Sequence, residues 1–298
     1  MVRSAVTRRI VAAARRASRA AISKHPGNAE LQLGPKVPSW SSAFLDPFAH
    51  SKQRPSRCAY DSAVIYRLLC CSDTHTEVPP NLDEASATAW LHAGDVVEGP
   101  EIVGDDSDPL QDFLRAPVAR WFKERPLPVF VVKGNHDTVD DVHAFRHAND
   151  VTGRVVRIAE SLVLAGIGWC GETYYELPLE SDLRGPCDSV LRAANRILMP
   201  SDSLILLTHY PPRFPGMREL TRDVPNGGVW YDCVRGLVAE LRPTAVVQGH
   251  VHSWAGTSQV VRIEDRDTTV FHPGKLGGIL QVDTVCRTAE VSWPSCER

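Results

Sequence analysis

Five short apolar runs in this chain each give out at a carboxylate, an amide or an imidazole, and that recurrence constrains the fold more than any other feature. "AVIYRLLC" (63–70) is followed by Asp73-Thr74-His75, and "TAWLHAGD" (88–95) closes on Gly94-Asp95. "PVFVVKG" (128–134) leads into Asn135-His136-Asp137, "SLILLTH" (203–209) ends at His209, and "TAVVQGH" (244–250) runs into His250-Val251-His252. Apolar runs this short, bounded by glycine or polar residues, read as buried strands. Helical stretches are expected between them at about 110–125, 188–198 and 231–241, with Pro117 kinking or restarting the first. The alternation predicts an α/β fold with a largely central sheet. From residue 258 the pieces "SQVVRI", "TTVFH", "GILQVDT" and "TAEVSW" suggest a meander added to one sheet, and no internal repeat is visible.

In open α/β sheets, ligands bind in the crevice outside the strand carboxyl ends. Seven candidate metal ligands therefore converge there: Asp73, His75, Asp95, Asn135, His209, His250 and His252. Singly, each has a plainer reading as a turn residue or a structural histidine. Five in succession argue for a metal site. Asp73 and His75 point the same way if the backbone stays extended, because strand side chains repeat with period two. Glycines before Asp95, Asn135 and His250 let the backbone turn sharply and bring ligands close.

Composition narrows the surroundings of such a site. A formal net charge of -3 over 298 residues gives no sign of a nucleic-acid partner, since phosphate binders usually carry a basic excess. No apolar run approaches the ~20 residues of a membrane span. Eight cysteines without C-x-x-C spacing fit a reducing compartment, so a cytoplasmic protein is expected, with adjacent Cys70 and Cys71 acting as small hydrophobes in a strand. The first 29 residues hold six arginines, one lysine and no acidic residue. Import into an organelle is the alternative that this segment raises, a disordered basic extension the plainer one. Prolines 26, 35, 38, 47 and 55 then mark a linker or strap, so residues 1–62 are expected to be an extension and 63–298 the compact domain.

The ordered set D-x-H, G-D, G-N-H-D, H and G-H-x-H resembles the calcineurin-like metallophosphoesterase superfamily, from residue 66 to about 280. The resemblance implies a four-layer α/β/β/α sandwich of two mixed sheets, with the metal site at strand carboxyl ends. It implies that Asp73, His75, Asp95 and His252 hold one metal, that Asp95, Asn135, His209 and His250 hold the second, and that Asp95 bridges both. His136 would face the substrate phosphate beside Asn135, oriented by Asp137. The paired Gly249-His250-Val251-His252 is similar to the branch that includes cyclic-nucleotide and other phosphodiesterases, whereas the Ser/Thr protein phosphatases show G-D-x-V-D-R-G and G-N-H-E. One departure is "FHPGK" (271–275), where relatives often show Asn-Pro-Gly-Ser, which leaves that loop's role open. Arg213 is a candidate contact to the substrate phosphate or a solvated surface arginine. Trp169, Tyr174 and Tyr175 either stack on a base or pack the core, packing being favoured, and "GDDSD" (104–108) reads as a solvated turn.

Phosphate-ester hydrolysis needs a hydroxide at neutral pH, charge neutralisation on phosphoryl oxygens, and an acid for the leaving alkoxide. Two metals roughly 3.5 to 4 Å apart provide the first two, and a protonated His136 is the natural general acid. Imidazole and carboxylate ligands suit manganese first, with Fe, Zn, Co or Ni as alternatives, and the absence of a cysteine ligand argues against a structural zinc site. The expected function is hydrolysis of small phosphate esters by a metal-bridging hydroxide, diesters ahead of monoesters. A phosphomonoesterase, including one acting on phosphoproteins, is the alternative within the class. An inactive scaffold of the same fold is the alternative outside it, and the full ligand set stands against that. A DNA-repair nuclease is disfavoured by the mild acidity. The oligomeric state is left open.

Overall fold

The computed structural model describes residues 64–79, 81–97, 117–137, 147–171, 176–212, 214 and 231–294. The basic extension, the acidic loop 104–108, Arg213, Tyr174 and Tyr175 lie outside them. The strands are β1 Ile65–Cys71, β2 Ala89–His92, β3 Val129–Val131, β4 Asn149–Asp150, β5 Val155–Ala159, β6 Leu162–Ile167, β7 Ser203–Thr208, β8 Ala245–Gln248, β9 Thr257–Ile263, β10 Arg266–His272, β11 Gly278–Asp283 and β12 Thr288–Ser292. Among the described residues the helices are α1 Pro117–Glu124, α2 Glu180–Ile197 and α3 Asp232–Leu241, with a 3-10 turn at His252–Trp254.

These strands form two six-stranded mixed sheets, ordered β12-β11-β1-β2-β3-β4 and β5-β6-β7-β8-β10-β9. In the first, β1 to β4 run parallel and β11 joins β1 antiparallel. In the second, β6, β7, β8 and β10 run parallel, flanked by antiparallel β5 and β9. The expected four-layer sandwich is what the buried side chains show. Leu68, Cys70, Leu91, Leu164, Ile205 and Val247 meet between the sheets, while Leu69, Cys71, Trp90 and Val131 pack with Trp121 and Phe122 of α1. On the far side Val163, Leu204, Leu206 and Val246 pack with Leu183, Val190, Val234 and Leu237 of α2 and α3. Strands sandwiched this way bury both of their alternating faces, which is why they read as continuous apolar runs.

Three expectations need correction. The largely central sheet read from the alternation is divided between the two sheets that the resemblance implies, because a continuous apolar run shows that both faces of a strand are covered and not what covers each. The C-terminal meander is divided: β9 and β10 pair in the second sheet and β11 and β12 in the first, the chain changing layer over the loop that carries Pro273 and Gly274. Helix α2 begins at Glu180 rather than near 188. Its buried stripe Leu183, Cys187, Val190, Ala194 runs through Gly185 and Pro186, and Asp182 accepts the Leu179 amide at 2.7 Å at its start. The β5–β6 pair, whose register shifts between Arg157 and Ala159, has no counterpart in the sequence reading. Pro117 is the first described residue of α1.

Candidate metal centre

The loops after β1 and β2 are stitched together by their backbones. The amides of Asp73, His75 and Thr76 donate to the carbonyls of Gly94, Asp95 and Val96 at 3.0, 3.1 and 2.8 Å. To make these bonds the chain leaves the extended region: φ is 53° at Asp73, 46° at His75, 64° at Thr76 and 54° at Asp95. Left-handed conformations at non-glycine residues cost on the order of 1 kcal/mol each and cluster at functional sites. Asp73 and His75 therefore converge through a tight left-handed turn, not through the extended backbone expected from period two.

Asp137 holds the neighbouring loop against this pair. Its buried carboxylate accepts four backbone amides: Asp95 and Gly134 on Oδ2 at 3.1 and 2.8 Å, Val96 and Val97 on Oδ1 at 3.1 and 3.0 Å. Beside the orienting role toward His136 that the resemblance implies, Asp137 thus holds the backbone of two candidate ligand loops. A buried amide left without its acceptor costs about 1–3 kcal/mol. Asp137→Ala is accordingly expected to lower folding stability by ~3 kcal/mol or more in denaturant titration. An unchanged midpoint, with only kcat reduced, would instead leave Asp137 with the role toward His136 alone.

Two groups of donor atoms lie around these loops: Asp73, His75, Asp95 and His252 form one, and Asp95, His209 and His250 the other, each with its donor atoms within 4.8 Å of one another. Asp95 belongs to both. Asn135 completes the second group, its Oδ1 3.1 Å from His209 Nε2. His209 donates Nδ1–H to the Ala93 carbonyl at 2.8 Å, which turns Nε2 toward Asn135 Oδ1 and Asp95 Oδ1, the latter at 3.3 Å. A nitrogen facing two oxygens requires a cation between them, a proton or a metal. Burial opposes a charge on His209, but Asp95 outweighs it and holds the imidazole up at about 9 when a proton fills that place. His250 is pushed down to about 3 by burial, so it is a neutral ring with a free lone pair at physiological pH.

The first group is equally suited to a cation. His75 Nε2 and His252 Nε2 face each other at 3.1 Å, and Asp73 Oδ1, 3.7 Å from His252 Nε2, already accepts the His250 amide. Asp73 Oδ2 is buried with no hydrogen-bond partner, a costly state for a carboxylate oxygen unless an ion meets it. Gly134 keeps the space open, since a side chain there would collide with Asp95 Oδ1 and come 2.7 Å from His209 Nε2. The donor set, oxygen and imidazole nitrogen without thiolate, fits two divalent transition-metal ions. His136 sits beside it, its amide on Asp95 Oδ1 at 2.9 Å, its ring edge-to-face on His75 at 4.5 Å and partly exposed.

One pair escaped the sequence reading. Thr74, between the candidate ligands Asp73 and His75, has its hydroxyl 2.9 Å from His92 Nε2, both residues being fully buried. Burial pushes His92 down to about 3, so it is neutral. With Nδ1 lacking a partner, the cheaper tautomer donates Nε2–H to Thr74 and leaves only a lone pair unpaired. The signal was a histidine inside an otherwise apolar strand, which needs a polar partner. Thr74→Val is expected to lower the metal retained by the Asp73 group, read as loss of about one ion per chain by elemental analysis after desalting, with Thr74→Ser restoring it. Full retention by the valine variant would make the pair a packing detail.

Trp169 packs against the core under α2 and α3, as favoured, and its carbonyl accepts the Tyr210 hydroxyl at 3.0 Å. Residues 66–254 match the calcineurin-like phosphoesterase family. Among solved structures, TT1561 of Thermus thermophilus is similar at 17% identity, over 77% of this chain and 99% of that one, with a TM-score of 0.50. A second crystal structure has 14% identity, the same coverage and a TM-score of 0.52. Likeness at that identity extends to the fold. No curated protein matches the chain.

Proposed function

The chain belongs to the calcineurin-like phosphoesterase family, and from that premise we propose that it hydrolyses phosphate esters with two divalent metal ions, diesters being the preferred class. The observation that supports this is the sharing of Asp95 between two complete groups of donor atoms. Bound there, the ions would acidify a water and neutralise charge on the ester oxygens. Manganese is the pair's first candidate, on the mixed oxygen and imidazole donors.

The chain's own residues supply the rest. Asp73, His75 and His252 would hold the first ion, Asn135, His209 and His250 the second, with Asp95 touching both. His136, on the crevice side of His75, is assigned the proton that the leaving alkoxide takes up. Its backbone N–H is anchored on Asp95, so the loop that carries the acid is fixed to the residue that joins the two ion sites. Arg213, four residues past His209 in the sequence, is proposed to contact the substrate phosphate. The diester preference rests on the similarity of Gly249-His250-Val251-His252 to the phosphodiesterase branch. No described helix is long and apolar enough to cross a membrane, and cysteine usage in the sequence supports a cytoplasmic placement.

A panel of phosphate esters, assayed with the purified protein at defined metal content, tests this reading. Turnover of diesters with two ions per chain is the expected result. Faster turnover of monoesters would move the preference to a phosphomonoesterase, and two bound ions without any turnover would favour a scaffold.

A further inference from the structure

Outside the metal centre, the cysteines of α2 and α3 stand out. The two helices pack side by side over the second sheet, and a cavity of about 310 Å³ opens along their seam, lined by Cys187 of α2 and Cys233 of α3 with Glu180, Asp188 and Gly236. Cys187 is buried on the stripe that faces the core, whereas Cys233 is part-exposed in the first turn of α3. Cys233 is fixed against α2: its amide donates to Glu180 Oε1 at 2.7 Å and its thiol lies 3.9 Å from the Glu180 carbonyl. Cys187 and Cys233 thus line one cavity from two packed helices.

We propose that Cys187 and Cys233 form a reversible redox pair, a modification site at which a small disulfide oxidant of the glutathione class is exchanged for a bond joining α2 to α3. The part-exposed Cys233 sulfur attacks oxidised glutathione, breaking its S–S bond and releasing one glutathione thiol. Cys187 then attacks the Cys233 sulfur of the mixed disulfide and expels the second glutathione. One S–S bond is broken and one is formed, the two cysteine protons pass to the two glutathione thiolates, and the protein loses the two electrons that glutathione gains. Cys233 makes the first attack because it is part-exposed, and Cys187, buried beside it on the core stripe, resolves the mixed disulfide that glutathione leaves there. The geometry can yield. Pro186, beside Cys187, removes one intrahelical hydrogen bond from α2, and a side chain at Gly185 or Gly236 would meet nothing within 4 Å.

A bond here would fix the first turn of α3 just after Tyr231. Tyr231 packs on Tyr210 at 5.3 Å between ring centroids, and Tyr210 packs on His209 at 4.9 Å. The redox state of the seam therefore borders the second ligand group through two aromatic rings.

The test is to incubate the full chain, natively folded, with graded ratios of oxidised to reduced glutathione, block remaining thiols, and map peptides by mass spectrometry without reduction. The expected product is a peptide pair linked through Cys187 and Cys233, two hydrogens lighter than the thiols, and reversed by excess reduced glutathione. Cys187→Ser should instead accumulate glutathione on Cys233, and Cys233→Ser should leave Cys187 unmodified. A persistent glutathione adduct on Cys233 in the unmutated chain, a link between other cysteines, or free Cys187 and Cys233 throughout would each overturn the proposal.

Discussion

Asp95→Ala is expected to release more metal than any single change elsewhere in the centre and to cut hydrolysis by about a thousandfold or more, ~4 kcal/mol of transition-state stabilisation. Its carboxylate is the one donor common to both groups, it faces His209 Nε2 at 3.3 Å, and it accepts the His136 amide. Removal therefore loosens both ion sites and the loop that carries the acid. His75→Ala provides the comparison, because His75 belongs to the first group alone. Elemental analysis after desalting should find less total metal in Asp95→Ala than in His75→Ala, with circular dichroism checking that both are folded. Equal, near-full occupancy in the two variants would reject the bridging role.

His136→Ala separates chemistry from metal binding. His136 is in neither donor group, yet its ring lies 4.5 Å from that of His75 and is 16% exposed at the crevice. Both ions should be retained. On an ester with a poor, alkoxide-like leaving group kcat should fall about 100-fold or more, since that group needs a proton in the transition state. A nitrophenolate leaves as an anion and should suffer less. The ratio of the two losses at saturating metal decides the question: equal losses would make His136 a phosphate-binding residue, and loss of an ion would make it a ligand.

The candidate donors of the centre are legible in the sequence because a strand's end is a local event. An apolar run that stops at Asp, Asn or His shows a side chain that is useless to the core and near a strand's carboxyl edge, and the run's own length shows that it is buried. Asp73, Asp95, His209 and His250 were found this way, and the structure brings them together. The layer count was not legible from burial pattern alone, because Leu204 and Ile205 look equally apolar while facing different layers; the four-layer architecture came by resemblance. Helix α2 starts at Glu180 rather than near 188 because the packing of Leu183 and Cys187, which is tertiary, carries it through Gly185 and Pro186.

The same division holds within the site. Residue identity, carried by sequence, determined that oxygen and imidazole donors rather than thiolates would line the candidate metal centre. Only the folded chain decided how they meet. Asp73 and His75 converge by left-handed backbone conformations that local propensity disfavours, and those conformations persist because amides on one loop find carbonyls on another, far away in sequence. Asp137 is the clearest case. Its carboxylate gathers four amides from two loops, because a buried acceptor is satisfied wherever donors converge on it, and sequence adjacency says nothing about where that will be.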